Sequence, residues 1–275
     1  MMPSERFVHA GLDFELLRPS PRGDARSGAR LEGRLAKSVL HGSSAEGRAP
    51  SAARIFCSLH RTRAHGPQGG APVRVRWKGD VARAEAGSTR ARLRLLSGGA
   101  LAASVEAPTD EQAVEVVTAA ALERVGGFLV HASGVLEGGE VMLFVGPSGA
   151  GKSTAVELSG KRFFTVDRAA LVPVGDRWWA WRVPGGKPDE WERLEEGSCG
   201  APLRGVYRVV HGEPGFEAAG GAEALTILRQ ACYGQPGGPE EELERLARLE
   251  GLARAIEVGR VRTRLGAPLE LRGSA

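Results

Sequence analysis

The nine residues GPSGAGKST, at positions 146–154, constrain this chain more than any other stretch. Gly146 and Gly151 stand at the interval of a loop whose backbone N–H groups cradle phosphate, and Lys152 and Ser153 follow at once. The apolar run VMLFV precedes the loop and the helical run STAVEL follows it, which is the context such a loop needs. In a chain with 39 glycines, composition alone gives about 0.01 matches to this pattern. The predicted phosphate-binding residues are Gly146, Pro147, Ser148, Gly149, Ala150, Gly151, Lys152, Ser153 and Thr154.

The residue types of the loop indicate its ligand. In such loops the lysine reaches the β- and γ-phosphates of a nucleotide, and the hydroxyl that follows binds Mg²⁺. Lys152 and Ser153 therefore predict binding of a nucleotide with Mg²⁺. A guanine-specific protein would carry an Asn-Lys-x-Asp motif that recognises the base. The nearest stretch here, GKPD at 186–189, lacks the asparagine, so ATP is favoured. The acidic candidate on the following strand is Asp167, 14 residues after Ser153, and it is the expected second metal ligand.

Residues 1–123 are predicted to form a β-rich region with a helix that bridges to the rest of the chain. PVRVRWKGDVARAEA alternates apolar and polar residues about a turn at 78–80, and RARLRLLSGGALAASVEA does so about 97–99, so two hairpins are expected. The run LSGGA looks like an ABC-transporter signature, but it precedes the phosphate loop and joins two alternating runs, which favours a turn. Thr109 with Gln112 predicts a helix start, and Gly126 with Gly127 its end.

Residues 124–275 are predicted to form an α/β domain around the loop. Strand-like runs such as FLVHASGVL, RFFTVD and GVYRVV are interleaved with the helical runs AEALTILRQACY and EEELERLARLEGLARAIE. RFFTVD is predicted to be a strand, in which Thr165 and Asp167 share one face while Phe164 and Val166 share the other. The Asp167 carboxylate is therefore expected to face the loop.

This arrangement resembles the catalytic domain of HPr serine kinase/phosphorylase and its HPr-kinase-like relatives, which are akin to phosphoenolpyruvate carboxykinase. The resemblance rests on FLVHASGVLEGGEVMLFVGPSGAGKST, in which His131 lies 15 residues before Gly146, on TVDRAAL, and on VPGGKPDEW with APLRGVYRVV. It covers residues 124–270, and the β-rich region before them is placed by analogy. The implied fold is an α/β phosphate-loop domain with a mixed sheet, preceded by a β-rich α+β region.

The resemblance implies an ATP-dependent phosphotransferase that acts on a protein serine or a small-molecule hydroxyl. It implies ATP and Mg²⁺ as cofactors, with Ser153 and Asp167 as metal ligands and His131 and Asp167 as catalytic residues. It also allows a protein acceptor and an oligomer. The family shows two adjacent aspartates, whereas this chain has Val166 and then Asp167, so one carboxylate is lost. A non-catalytic nucleotide-binding module and a weak ATPase are therefore alternatives.

Composition argues against several other classes of protein. The net charge is +4 and is spread along the chain, so no nucleic-acid partner is expected, and no run approaches the roughly 18 apolar residues of a membrane span. Cys57, Cys199 and Cys232 form no disulfide or metal framework, which indicates a cytoplasmic protein. CSLHRTRAH, at 57–65, is a weak metal candidate. The alternating arginines of VGRVRTRL either form a solvent-exposed strand face or supply positive charge that stabilises phosphate.

Overall fold

The structure is a computed structural model, and it describes residues 4–9, 12–17, 53–62, 73–183, 200–236 and 238–269. This part of the chain is a mixed α/β protein with two mixed sheets. Its strands are β1 (Ser4–His9), β2 (Leu12–Leu17), β3 (Ala53–Arg61), β4 (Arg74–Lys78), β5 (Val81–Ala86), β6 (Thr89–Leu95), β7 (Leu101–Ala107), β8 (Phe128–Glu137), β9 (Glu140–Val145), β10 (Arg162–Thr165), β11 (Arg168–Val174), β12 (Arg177–Arg182), β13 (Gly200–His211), β14 (Gly215–Ala218), β15 (Gln235–Pro236) and β16 (Glu257–Thr263). Its helices are α1 (Asp110–Arg124), α2 (Lys152–Ser159), α3 (Gly221–Ala231) and α4 (Pro239–Ala255).

The chain divides into two compact units. The first comprises Met1–Val125 with Gly234–Glu241, and the second comprises Gly126–Tyr233 with Glu242–Ala275. The short segment of the first unit that lies late in the sequence includes β15, which pairs in parallel with β4. A domain boundary between residues 123 and 124 stays a prediction.

The described residues of the first unit form one sheet with a helix on one face. Its strand order is β1-β2-β3-β7-β6-β5-β4-β15, and both expected hairpins are present as β4–β5 and β6–β7. Helix α1 begins where the sequence predicts, because the Thr109 side chain accepts a hydrogen bond from the backbone N–H of Gln112. Its small apolar side chains pack on β5, β6 and β7, and the Trp77 indole donates to the Ala120 carbonyl at 3.2 Å. The opposite face of these strands carries charged, exposed side chains.

The second unit is built around two long strands, β8 and β13, which both change partners along their length. Residues 128–131 of β8 pair with β11, and residues 132–137 pair with β9. Residues 200–202 of β13 pair with β12, and residues 203–208 pair with β9. Because β11 and β12 also pair, the five strands β8, β11, β12, β13 and β9 close into a circuit. Strand β16 extends this sheet, and β9–β13 and β13–β16 are parallel pairs.

The strands of the second unit bury apolar side chains on both faces. One core cluster joins a single face of all five circuit strands to buried residues of α3 and α4. A second cluster joins the other face of β9, β13 and β16 to Ala155 and Val156 of α2. The part of the sheet that leads into the glycine loop at 146–151 is therefore covered on both sides, which explains why β9 reads as a continuous apolar run.

Helix length, the cysteines and the GKPD stretch also bear on what the sequence predicts. In the described residues, no helix combines the length and the apolar character required to cross a bilayer. Cys57 and Cys232 form no disulfide in the part of the chain that the structure describes, and Cys199 lies outside that part. The GKPD stretch and nearly all of VPGGKPDEW also lie outside them.

Candidate phosphate-binding site

The glycine loop lies between β9 and α2, and its backbone conformation favours glycine at Gly146 and Gly151 among others. Gly146 has a φ of 150°, and a Cβ there would stand 2.9 Å from the Ala150 Cβ. Gly151, at the N-cap of α2, has a φ of 86° in the left-handed region. The loop is closed by a hydrogen bond of 3.1 Å from the Ala150 N–H to the Pro147 carbonyl, while residues 147–149 are exposed. The tip of the loop is thus open to a ligand.

Lys152 is the buried cation of the loop. Its side chain is only 8% exposed, and its Nζ donates to the carbonyls of Gly146 and Pro147, at 3.1 Å each. Burial lowers the pKa of Lys152, and the negative charge of Asp167 opposes that shift. A desolvated ammonium gains most from a nearby anion, so the charge balance of the loop favours a phosphate at this position.

The backbone bends at Val166 and Asp167, where the sequence predicted a continuous strand. Strand β10 ends at Thr165, so Asp167 is not part of it. The alternation of side chains along the strand therefore does not determine which way the Asp167 side chain points. Two hydrogen bonds to β8 hold the bend: the Ser133 hydroxyl donates to the Val166 carbonyl at 2.5 Å, and the Ala132 N–H donates to the Asp167 carbonyl at 3.0 Å. Ala132 is also the register partner of Val145, the residue before the loop, so the bend lies beside the start of the loop.

Asp167 is paired with two basic side chains. Its Oδ1 lies 3.2 Å from the His131 Nε2, and its Oδ2 accepts from the Arg168 Nε at 3.1 Å. The hydrogen bond with His131 is the largest effect that lowers the pKa of Asp167, and the Arg168 charge adds to it against the opposing effect of burial. Because an ionised carboxylate only accepts, the His131 Nε2 carries a proton. In the neutral imidazole, Nδ1 is then the acceptor, and His131 can take a proton there.

The pKa of Asp167 predicts how its contribution to stability depends on pH. A carboxyl group whose folded pKa lies below its unfolded value of about 3.9 stabilises the fold above that value, and the effect is lost as pH falls through the folded pKa. Asp167→Asn should therefore cost about 1–3 kcal/mol near pH 7, from its charge-assisted hydrogen bonds. The difference between wild type and variant should shrink below about pH 4. Denaturant unfolding from pH 7 to pH 2.5 measures it, and a difference that persists unchanged in acid would contradict the assignment.

Three residues near the site escaped sequence analysis. Arg168 is the register partner of His131, and its guanidinium lies 5.3 Å from the centre of the Tyr233 ring. The Tyr233 ring also lies 5.7 Å from the His131 ring, centre to centre. His211 ends β13 beside the loop, since a Cβ on Gly151 would stand 4.0 Å from its Cε1. The sequence did indicate that His211 ends a strand, and ligands collect at the carboxyl ends of parallel strands. Tyr233 comes from a distant part of the chain, and no local pattern links it to the site.

Other sequence candidates lie elsewhere or are already paired. The three arginines of β16 and its end each contact a carboxylate: Arg260 with Glu223 at 2.5 Å, Arg262 with Glu217 at 2.6 Å, and Arg264 with Glu213 at 2.5 Å. This favours the solvated-face interpretation. Cys57 is buried whereas His60 is exposed, and His65 lies outside the described residues. Within the described ranges no group of three or more His, Cys, Asp or Glu side chains could hold a metal by itself.

The residues around the loop nevertheless suit Mg²⁺ bound together with a phosphate. Magnesium commonly takes one or two protein oxygens and completes its shell with phosphate oxygens and water. Ser153 is exposed in the first turn of α2, and the lowered pKa of Asp167 keeps its carboxylate charged at neutral pH. The donors expected for the metal, a hydroxyl and a carboxylate oxygen, are thus of the right kind.

The described residues define a mixed α/β protein with a strand–glycine loop–helix unit in its second half. Comparison with solved structures finds the HPr(Ser) kinase/phosphatase from Coxiella burnetii, which is 9% identical, with 50% of this chain and 86% of that chain covered and a TM-score of 0.28. The resemblance is weak. No protein family matches the chain, and no curated protein matches it either.

Proposed function

We propose that this protein binds ATP with Mg²⁺ and transfers the γ-phosphoryl group to a hydroxyl of a protein or a small molecule. The observation that carries the proposal is the meeting of two features at one place. The buried Lys152 closes a glycine loop. Asp167, which is paired with His131, accepts a backbone hydrogen bond from Ala132, the register partner of the residue before that loop. These positions support phosphate binding beside a proton acceptor.

The loop and the residues beside it would bind the phosphates and the metal. The loop amides and the N-terminal end of α2 hold the phosphates, and Lys152 bonds the β- and γ-phosphate oxygens. Ser153 and Asp167 would hold Mg²⁺, which supplies positive charge against the phosphates when it is bound. Each Asp167 oxygen keeps a further lone pair beyond its bond to His131 or Arg168, so a metal bond does not require either to break.

His131 is the proposed general base. Asp167 holds the proton on the His131 Nε2, which leaves Nδ1 to accept the hydroxyl proton of the acceptor. The charge of Asp167 then stabilises the imidazolium that forms. Asp167 itself is a poor base, because its pKa is lowered.

A second candidate function is a nucleotide-binding module with little or no turnover. Val166 favours it, since it stands where HPr-kinase-like proteins have a second aspartate. Incubation of the full chain with γ-labelled ATP, Mg²⁺ and a cell lysate separates the candidates. A labelled protein or small molecule that depends on the added chain supports the phosphotransferase. Free phosphate alone indicates an ATPase, and binding without turnover indicates the module.

ATP with Mg²⁺ should raise the melting temperature of the full chain. A ligand at 100 times its dissociation constant stabilises the native state by about 2.7 kcal/mol, which corresponds to about 5–10 °C for a protein of this size. Adenosine, which lacks phosphates, should shift the transition much less because the loop recognises phosphate. Differential scanning fluorimetry measures both. A transition that no nucleotide moves would contradict nucleotide binding.

A further inference from the structure

The exposed face of the first sheet carries a dense set of arginines that the proposed function does not use. Trp77 and the buried side chains of β4, β5, β6 and β7 point to the α1 side, so the alternate residues point away from it. The side chains of this arginine face are Arg74, Arg76, Lys78, Arg83, Glu85, Arg90, Arg92, Arg94, Ser104 and Glu106. Seven of the ten are basic and two are acidic, whereas the formal net charge of the whole chain is only +4. Positive charge is therefore concentrated here.

Strand register places like charges directly opposite one another on this face. Arg76 pairs with Arg83, Arg83 pairs with Arg92, and Arg92 pairs with Ser104, so three arginines form one row across β4, β5 and β6. Like charges in directly opposed positions destabilise a sheet. Neither the Arg83 nor the Arg92 side chain has an ion pair or hydrogen bond in the described part of the chain. Because Arg83 and Arg92 oppose like charges and their side chains have no partner in the described part of the chain, these two arginines are expected to have an external partner.

The neighbouring row has mixed charge. Arg74, Glu85, Arg90 and Glu106 follow one another across the same four strands, and Arg90 lies 3.5 Å from Glu85. Side chains from both rows line a shallow cavity of about 540 Å³ on this face. The cavity thus offers guanidinium groups from both rows and carboxylate acceptors from Glu85 and Glu106.

The chemistry of the face favours a polypeptide over a nucleic acid. Single-stranded nucleic acids are held by aromatic stacking as well as charge, and the arginine face has no aromatic side chain among the residues that the structure describes. Glu85 and Glu106 would repel a phosphate backbone. An acidic polypeptide suits both rows, because its carboxylates match the guanidinium forks and its backbone N–H groups can donate to the glutamates.

We propose that the arginine face is a docking surface for an acidic, extended segment of a partner polypeptide. Arg83 and Arg92 bind carboxylates of that segment, and Glu85 and Glu106 accept hydrogen bonds from its backbone. The surface lies within the first unit, and its assignment does not depend on nucleotide binding or turnover in the second.

Fluorescence anisotropy with the full chain tests the proposal. The probe is a fluorescein-labelled peptide of 12 residues that alternates glutamate and serine, at low and at physiological salt. The variant Arg83→Gln/Arg92→Gln should bind it about ten-fold or more weakly, because two charge-assisted contacts are lost. The control Arg177→Gln/Arg254→Gln removes the same charge from exposed positions of the second unit and should change affinity less than about two-fold.

Stability separates docking from a structural role. Because the row brings like charges together, the double variant should melt no lower than wild type, whereas a structural role would lower its melting temperature. Absence of peptide binding at low salt would overturn the proposal. Equal losses in the variant and the control would also overturn it, since binding would then follow overall charge. Tighter binding of a 12-nucleotide oligothymidylate, dependent on Arg83 and Arg92, would identify a nucleic-acid surface instead.

Discussion

Lys152→Ala should reduce the affinity for ATP with Mg²⁺ by about 100-fold or more, since it removes the charge-assisted hydrogen bonds of the ammonium to phosphate. Its Nζ also donates to the Gly146 and Pro147 carbonyls, so the substitution loosens the loop as well. Both effects act in the same direction on binding. Isothermal titration calorimetry of the purified full chain measures the loss.

Lys161→Ala is the matched control for this experiment. Lys161 follows α2 and is exposed, with its Nζ 2.8 Å from Glu137, so its removal should leave ATP affinity within about two-fold of wild type. Circular dichroism shows whether each variant is folded. Unchanged affinity in folded Lys152→Ala, or equal losses in both variants, would show that the loop does not grip the nucleotide.

His131→Ala should lower phosphoryl transfer by roughly 10²- to 10⁴-fold, which is the usual contribution of a general base. ATP affinity should change little, because the loop, Lys152 and Ser153 remain. Rapid-quench measurement of γ-labelled ATP turnover, with the dissociation constant determined separately, distinguishes the two effects. Added imidazole should restore part of the rate in His131→Ala, which loss of structure alone would not allow. His60→Ala, an exposed histidine of the first unit, is the control.

The variant Val166→Asp tests the opposing hypothesis. If the missing second carboxylate limits turnover, this substitution should raise the rate by at least an order of magnitude, while His131→Ala should have little effect. The Val166 side chain is half-buried, so a new carboxylate there keeps contact with solvent. If His131 is the base, Val166→Asp should leave the rate nearly unchanged. The pair of variants thus assigns the proton acceptor to one residue or the other.

Features that depend on neighbouring residues could be predicted from the sequence. The hairpins about residues 78–80 and 97–99, the helix that begins after Thr109, and the loop between β9 and α2 all follow from patterns within about twenty residues. The exposed arginine face also follows from alternation, although its row of opposed charges depends on strand register. Such patterns act through the local backbone, which is why they remain visible in one sequence.

Features that depend on distant contacts could not be predicted. The bend at Val166 and Asp167 requires a hydroxyl and an N–H from β8, so a continuous strand was the natural expectation. The contact of Tyr233 with His131 joins distant parts of the chain. For His211 the sequence offered a strand end, but its position beside the loop depends on the parallel pairing of β9 with β13. The closed circuit of five strands likewise follows from partner changes along β8 and β13, which no hydrophobic period encodes.

Because of that circuit, the two parts of the candidate site differ in how many backbone hydrogen bonds hold them. Strand β9 pairs along both edges, with β8 and with β13, so it can move only if two hydrogen-bond ladders break together. The glycine loop is therefore anchored on a highly cooperative part of the fold. The Asp167 bend, by contrast, is held to β8 by single hydrogen bonds from Ala132 and Ser133, and the Thr165 hydroxyl donates to the Arg168 carbonyl across it. Under the proposed function, adjustments to acceptors of different shape should fall on this second part of the site, so phosphate binding can stay constant while acceptor specificity evolves.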